Sequence, residues 1–107
     1  MSETTEQMQT VARLWQEHRH ASFPDSLRSA KFAGMYVWPL DLYTAGCVLH
    51  WLDNGCTLDS EDCRIVQSCI EDLARVIPEI IEPAAAEYCQ RLHQLAVLVA
   101  GDPSHAT

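Results

Sequence analysis

Cysteine and histidine side chains cluster in the middle of the chain, and their chemistry suits a zinc ion. Cys47 and His50 are three residues apart, so on a helix they point to the same side. Cys56 and Cys63 follow, and four thiolate or imidazole groups can close a tetrahedral zinc site. The chain contains no Cys-x-x-Cys pair and no His-x-x-x-His pair, however. The spacing therefore favours packing over metal binding, and no cofactor is predicted.

The best arrangement in the chain for nucleophilic catalysis shares two of these residues. Such catalysis needs a base beside the nucleophile and a third group that orients the base. Cys47, His50 and Asp53 supply the three types at helical spacing. A cysteine inside an apolar helix has its thiolate disfavoured by desolvation, and no phosphate loop, nucleophile elbow or HExxH motif accompanies it. These features favour a binding protein over an enzyme, and both readings stay open. A metal- or thiol-dependent site around Cys47, His50 and Cys56 stays the alternative.

Charge is distributed unevenly along the chain. The net charge is −8, which disfavours a nucleic-acid binder because such proteins neutralise phosphates with Lys and Arg. Residues 53–87 contain nine acids and two arginines, so seven of the eight net negative charges lie there. Such a surface either keeps the protein soluble or docks a basic protein partner. For docking we predict the side chains Asp59, Glu61, Asp62, Asp72, Glu79 and Glu82.

Two aromatic residues are the predicted anchors for such a partner. Tyr36 and Trp38 lie in a stretch without clear periodicity, and exposed Tyr and Trp side chains often anchor protein interfaces. The alternative is that they close one end of the helical bundle. A homodimer in which an apolar helix face pairs between subunits is a further alternative.

Length and hydropathy limit the architecture to one domain. A chain of 107 residues forms one core, predicted here as a single domain over 1–107 with about 1–4 and 103–107 frayed.

No apolar run approaches the roughly 20 residues of a membrane span, and the polar N-terminus has no features of a secretory signal. We therefore expect a cytoplasmic protein without a membrane partner. The five cysteines, an odd set, are expected to stay reduced there.

The positions of apolar residues predict four helices. The first covers about 5–20, with Met8, Val11, Ala12, Trp15 and His18 on one face. Residues 27–40 have no clear pattern, and 35–38 suit either a short strand or an ordered loop. Asp41 is the predicted N-cap of a second helix over about 41–53, with Ala45, Val48, Leu49 and Leu52 on its buried face.

The last two helices have the clearest boundaries. Asn54 and Gly55 end the second helix, and Asp59 caps the third. Pro78 ends or kinks the third helix, and Pro83 opens the fourth. Short connections favour antiparallel neighbours, so the predicted fold is an all-α, antiparallel four-helix bundle with an irregular segment between helices one and two.

Several short sequence patterns carry a resemblance that covers most of the chain. They are Phe23-Pro24 with Leu27-Arg28, Leu40-Asp41 with Ala45-Gly46-Cys47, Asn54-Gly55 with Leu58-Asp59, Asp72-Leu73 with Val76, and Tyr88 with Arg91-Leu92. In these patterns the chain resembles a group of small bacterial helical proteins that has no assigned function. In size and charge it is also similar to the immunity proteins that neutralise bacterial toxins. That second likeness implies a binding function and assigns no residues.

Overall fold

The computed structural model describes the backbone of residues 3–101 and the side chains of residues 5–101. These residues form four α-helices, Glu3–His20 (α1), Val37–Asp53 (α2), Ser60–Val76 (α3) and Pro83–Ala100 (α4). Single 3-10 turns lie at Asp25–Leu27 and Ile77–Glu79. The predicted all-α bundle is confirmed. The predicted fraying at about 1–4 and 103–107 falls outside the described residues, apart from the two residues that begin α1.

Two clusters of buried side chains occupy opposite ends of the bundle. The first joins the start of α2, the end of α3 and the start of α4, and includes Val37, Leu40, Leu73, Val76, Tyr88 and Leu92. The second joins α1 to the end of α2, the start of α3 and the end of α4, and includes Val11, Leu14, Val48, Trp51, Val66, Leu95 and Val99. Each helix from α2 onward therefore runs antiparallel to the next one in the chain.

Local signals fix the ends of α3 and α4 as predicted. Asp59 is the N-cap of α3, and its Oδ1 accepts a hydrogen bond of 2.8 Å from the Asp62 N–H. Pro78 lies in the 3-10 turn that follows α3, and Pro83 is the first residue of α4. Gly101 ends α4 with φ of +79°, a conformation that is accessible to glycine without strain.

The predicted start of α2 is wrong. The helix begins at Val37 with Tyr36 as its N-cap, so Asp41 lies one turn inside the helix and caps nothing. Pro39 is tolerated because it lies in the first turn, where backbone N–H groups have no partner in the helix. The strand alternative for 35–38 is wrong for the same reason. In place of a strand, a two-residue turn at Ala33 and Gly34, both with positive φ, leads into the helix.

Two predicted helix faces are rotated in the structure. On α1 the buried positions are Val11, Leu14 and His18, whereas Met8 is exposed. On α2 the buried face contains Val37, Leu40, Thr44, Cys47, Val48 and Trp51. Leu49, predicted to be buried, points outward. This helix is apolar on nearly all sides, so periodicity alone did not identify its buried face.

Candidate functional site

A groove between α2 and α3 is the most site-like feature among the described residues. Its volume is about 470 Å³, which lies within the range of small-molecule and side-chain binding clefts. The turn before α2 and the first two turns of α2 form one wall, and the middle of α3 forms the other. The lining residues are Met35, Tyr36, Pro39, Leu40, Tyr43, Ile65, Ser68, Cys69 and Asp72.

The rim of the groove combines exposed aromatic rings with one carboxylate. Tyr36 and Tyr43 are both exposed, and the ammonium group of Lys31 lies 5.3 Å from the centre of the Tyr36 ring. Asp72 lies on the α3 side, where Arg75 donates a hydrogen bond to its Oδ1. An apolar floor beside a carboxylate can accept an apolar side chain of another molecule when the residue next to that side chain is positively charged.

The floor of the groove contains a buried thiol. Burial raises the pKa of Cys69, and the neighbouring hydroxyl of Thr44 opposes this shift. Because the thiol form is favoured at neutral pH, Cys69 presents a weakly polar surface rather than a nucleophile. The floor of the groove therefore combines this protonated thiol with the apolar side chains of Leu40 and Ile65.

The residues of the alternative metal- or thiol-dependent site are only partly brought together. Cys47 is buried, and its Sγ lies 3.7 Å from the Asp62 carbonyl oxygen. His50 is exposed and its Nδ1 lies 2.8 Å from Asp62 Oδ2. Cys56 lies in the turn after α2, and Cys63 is exposed on α3 with its Sγ 3.8 Å from the Leu58 carbonyl oxygen. Among the side chains of residues 5–101, no three His, Cys, Asp or Glu residues form a group that could hold a metal.

The chemistry of Cys47 follows from its surroundings. Burial raises the pKa of this thiol to about 11, and the carboxylate of Asp62 adds to the shift. The thiol is therefore protonated at neutral pH. This environment is that of a packed cysteine, and it differs from the electropositive, partly exposed setting of a reactive one.

Four of the six predicted docking acids are engaged in hydrogen bonds or ion pairs within the protein that the sequence did not indicate, and three of these contacts join distant parts of the chain. Glu79 Oε1 accepts a hydrogen bond of 2.7 Å from the Ala33 N–H, which fixes the turn before α2. Glu82 Oε1 accepts one of 3.1 Å from the Ser26 hydroxyl. Asp62 contacts His50 and Asp72 contacts Arg75.

The other two predicted acids lie at the start of α3. Asp59 is used as the N-cap, and Glu61 is exposed without an ion pair to any described side chain. Of all six acids, Asp72 alone lines the groove. The predicted aromatic anchors are both exposed, but they differ in position: Tyr36 lies on the groove rim, and Trp38 lies outside it on the outward face of α2.

A buried polar network joins three helices at the end of the bundle that holds the first cluster. His18 Nε2 on α1 lies 2.8 Å from Asp41 Oδ1 on α2. The hydroxyl of Tyr88 on α4 donates a hydrogen bond of 2.7 Å to Asp41 Oδ2. The rings of His18 and Tyr88 also pack together, with their centres 4.6 Å apart. Burial and the Asp41 carboxylate together raise the pKa of Tyr88, so its hydroxyl stays a donor.

Sequence reasoning missed this network because its members are far apart in the chain. Asp41 is separated from His18 by 23 positions and from Tyr88 by 47. The one available signal was a polar residue, His18, on an otherwise apolar helix face. Buried polar groups need partners, so that signal predicts a partner without identifying it.

Comparisons with known proteins found no relative of this chain. No protein-family model, no curated protein and no solved structure matches the chain. In the described part of the chain, none of the helices is both long and apolar enough to cross a bilayer.

Proposed function

We propose that this protein works by binding another protein, and that the groove between α2 and α3 receives an apolar side chain of the partner. The observation that carries the proposal is the groove itself, an apolar cleft of about 470 Å³ whose lining includes the exposed residues Tyr36 and Tyr43. Desolvated pockets of this kind contribute most of the affinity of a protein interface, and polar rims contribute much less.

The charge around the groove indicates the chemistry of the partner. Asp72 lies at the groove in an ion pair with Arg75, and Asp59, the N-cap of α3, is followed by Glu61 and Asp62 in the first turn. A basic partner would be attracted to these carboxylates during encounter, which speeds association and orients the two molecules. An accessory protein of the inhibitor or immunity kind, acting in the cytoplasm on a basic target, is the specific form of this proposal.

The proposal is tested by capture with matched variants. Tyr43→Asp places a charge on the groove rim, and Ile81→Asp makes a similar change at a position that is 95% exposed and lies outside the groove. Immobilised wild-type protein is expected to retain a basic protein from extracts of its source cells, and Ile81→Asp should retain it equally. Tyr43→Asp should lose it. The product of an adjacent gene is the first purified partner to examine.

Charge reversal provides a second measurement on the captured partner. Asp72→Lys is expected to lower its association rate and to reduce the dependence of that rate on salt. If no protein distinguishes Tyr43→Asp from Ile81→Asp, the groove is not the binding site. If Asp72→Lys leaves the association rate unchanged, the electrostatic part of the proposal is wrong.

A further inference from the structure

The outward face of α2 carries a stripe of apolar side chains that no described residue covers. The stripe consists of Trp38, Leu42, Ala45 and Leu49. Trp38, Leu42 and Leu49 are 53%, 63% and 43% exposed, and Ala45 is half-buried. Isolated exposed hydrophobic residues are common on protein surfaces, but Trp38, Leu42 and Leu49, with Ala45 in the turn between the two leucines, form a contiguous patch along one helix face.

The spacing of the stripe is that of a helix pairing with another helix. Its members are separated by four, three and four residues, the spacing of a coiled-coil seam. In an antiparallel pair of identical α2 helices, Trp38 of one copy faces Leu49 of the other, and Leu42 faces Ala45. Leu42 then meets the small side chain of Ala45, Trp38 packs against Leu49 at each end of the seam, and the two-fold axis passes between Leu42 and Ala45.

The charges at the two ends of the stripe fit the same antiparallel arrangement. Asp53, one turn after Leu49, is exposed and forms no ion pair with a described side chain. Lys31 lies at the opposite end, with its ammonium group over the ring of Tyr36, the N-cap of α2. Antiparallel pairing therefore brings Asp53 of each copy toward Lys31 of the other. A parallel pair would place like charges together.

From this self-complementarity we infer that the α2 stripe is the interface of a homodimer with antiparallel α2 helices. The inference goes beyond the proposed function, because no residue of the stripe lines the groove. A fully covered large side chain buries on the order of 150–250 Å², so three partly exposed ones supply roughly 300 Å² per subunit. The two subunits together bury roughly 600 Å², about half of the roughly 1,200 Å² at which stable specific interfaces begin. We therefore expect a weak, transient dimer with a dissociation constant on the order of 100 μM.

Sedimentation equilibrium of the purified chain tests this inference. Wild-type protein is expected to change from monomer to dimer between about 5 μM and about 500 μM. Leu42→Arg should raise the dissociation constant at least about tenfold, because the charge is desolvated at the centre of the interface. Ile81→Arg is the matched control: it places the same charge at a fully exposed position outside the stripe and should leave the dimer intact.

A charge exchange then tests the orientation. Lys31→Glu and Asp53→Lys are each expected to weaken the dimer, and the double variant should restore it. A wild-type chain that stays monomeric at about 500 μM, or a Leu42→Arg variant that associates as well as wild type, overturns the inference. Failure of the double variant to restore association overturns the antiparallel arrangement. Leu42→Arg, Asp53→Lys and Ile81→Arg lie outside the groove, so partner capture by these three variants reports on the proposed function separately. Lys31 lies beside Tyr36 on the groove rim, so variants of Lys31 are used to measure self-association alone.

Discussion

Removing one hydroxyl group tests whether the buried polar network holds α1, α2 and α4 together. In Tyr88→Phe the ring stays in place, and the 2.7 Å hydrogen bond to Asp41 Oδ2 is lost. A hydrogen bond to a charged group contributes about 1.5–3 kcal/mol to stability. The Asp41 side chain is 20% exposed, so water can replace part of what is lost. We therefore expect the free energy of unfolding to fall by about 1–2 kcal/mol.

Urea denaturation measures this loss directly. The midpoint is expected to fall while the denaturant dependence of the unfolding free energy stays constant, since the variant exposes the same surface on unfolding. Tyr43→Phe is the matched control. It removes the same group from an exposed tyrosine whose hydroxyl has no hydrogen bond to a described residue, so stability should change by less than about 0.5 kcal/mol.

A double-mutant cycle with Asp41→Asn separates the hydrogen bond from general effects of substitution. Asparagine keeps the shape of the side chain and removes the charge that Tyr88 and His18 both contact. If the groups act as one network, the double variant loses less stability than the two single losses together, by at least about 0.5–1 kcal/mol. Strictly additive losses, or a Tyr88→Phe variant as stable as wild type, would refute the proposed role of the network.

Three further predictions concern the thiols and the cap of α3. Burial raises the pKa of Cys47 from 9.0 to about 11 and the pKa of Cys89 from 9.0 to about 12. As the pH rises, these thiols therefore lose their protons in the unfolded chain at a lower pH than in the folded protein. The two buried thiols contribute their full stabilisation below about pH 9 and lose it as the pH rises further. The free energy of unfolding should therefore be about 2–3 kcal/mol lower at pH 10 than at pH 8. A maleimide should label exposed Cys63 before the three buried thiols Cys47, Cys69 and Cys89, as mass spectrometry can show. Asp59→Ala should cost about 1 kcal/mol in urea denaturation.

Each of these predictions has a control within the chain. Replacing Cys89 by alanine should reduce the loss of stability at high pH, whereas Cys63→Ala should not, since that thiol is exposed. Equal labelling rates for Cys63 and Cys89 in the folded protein would contradict the burial of Cys89. For the helix cap, Asp53→Ala changes an acid that accepts no cap hydrogen bond, so it should leave stability nearly unchanged.

The location of α2 shows where local signals fail. Gly34 and Pro39 favoured an irregular segment up to residue 40, yet the helix starts at Val37. Proline in a first helical turn leaves no additional donor unpaired, so its presence there carries little information about the boundary. Asp41 is of a residue type that is common at N-caps, but in the folded protein its carboxylate contacts His18 and Tyr88 instead.

The sequence by itself determined the helical class and the ends of α3 and α4. Those ends depend on contacts within a few residues, such as the hydrogen bond from the Asp62 N–H to Asp59, and local contacts can be read from local sequence. Tertiary packing decided which side of α2 is buried, because that helix is apolar on nearly every side and only its neighbours select a face. The groove and the outward stripe both follow from that selection. For this reason Tyr36 and Trp38, two positions apart in the chain, lie on different surfaces of the folded protein.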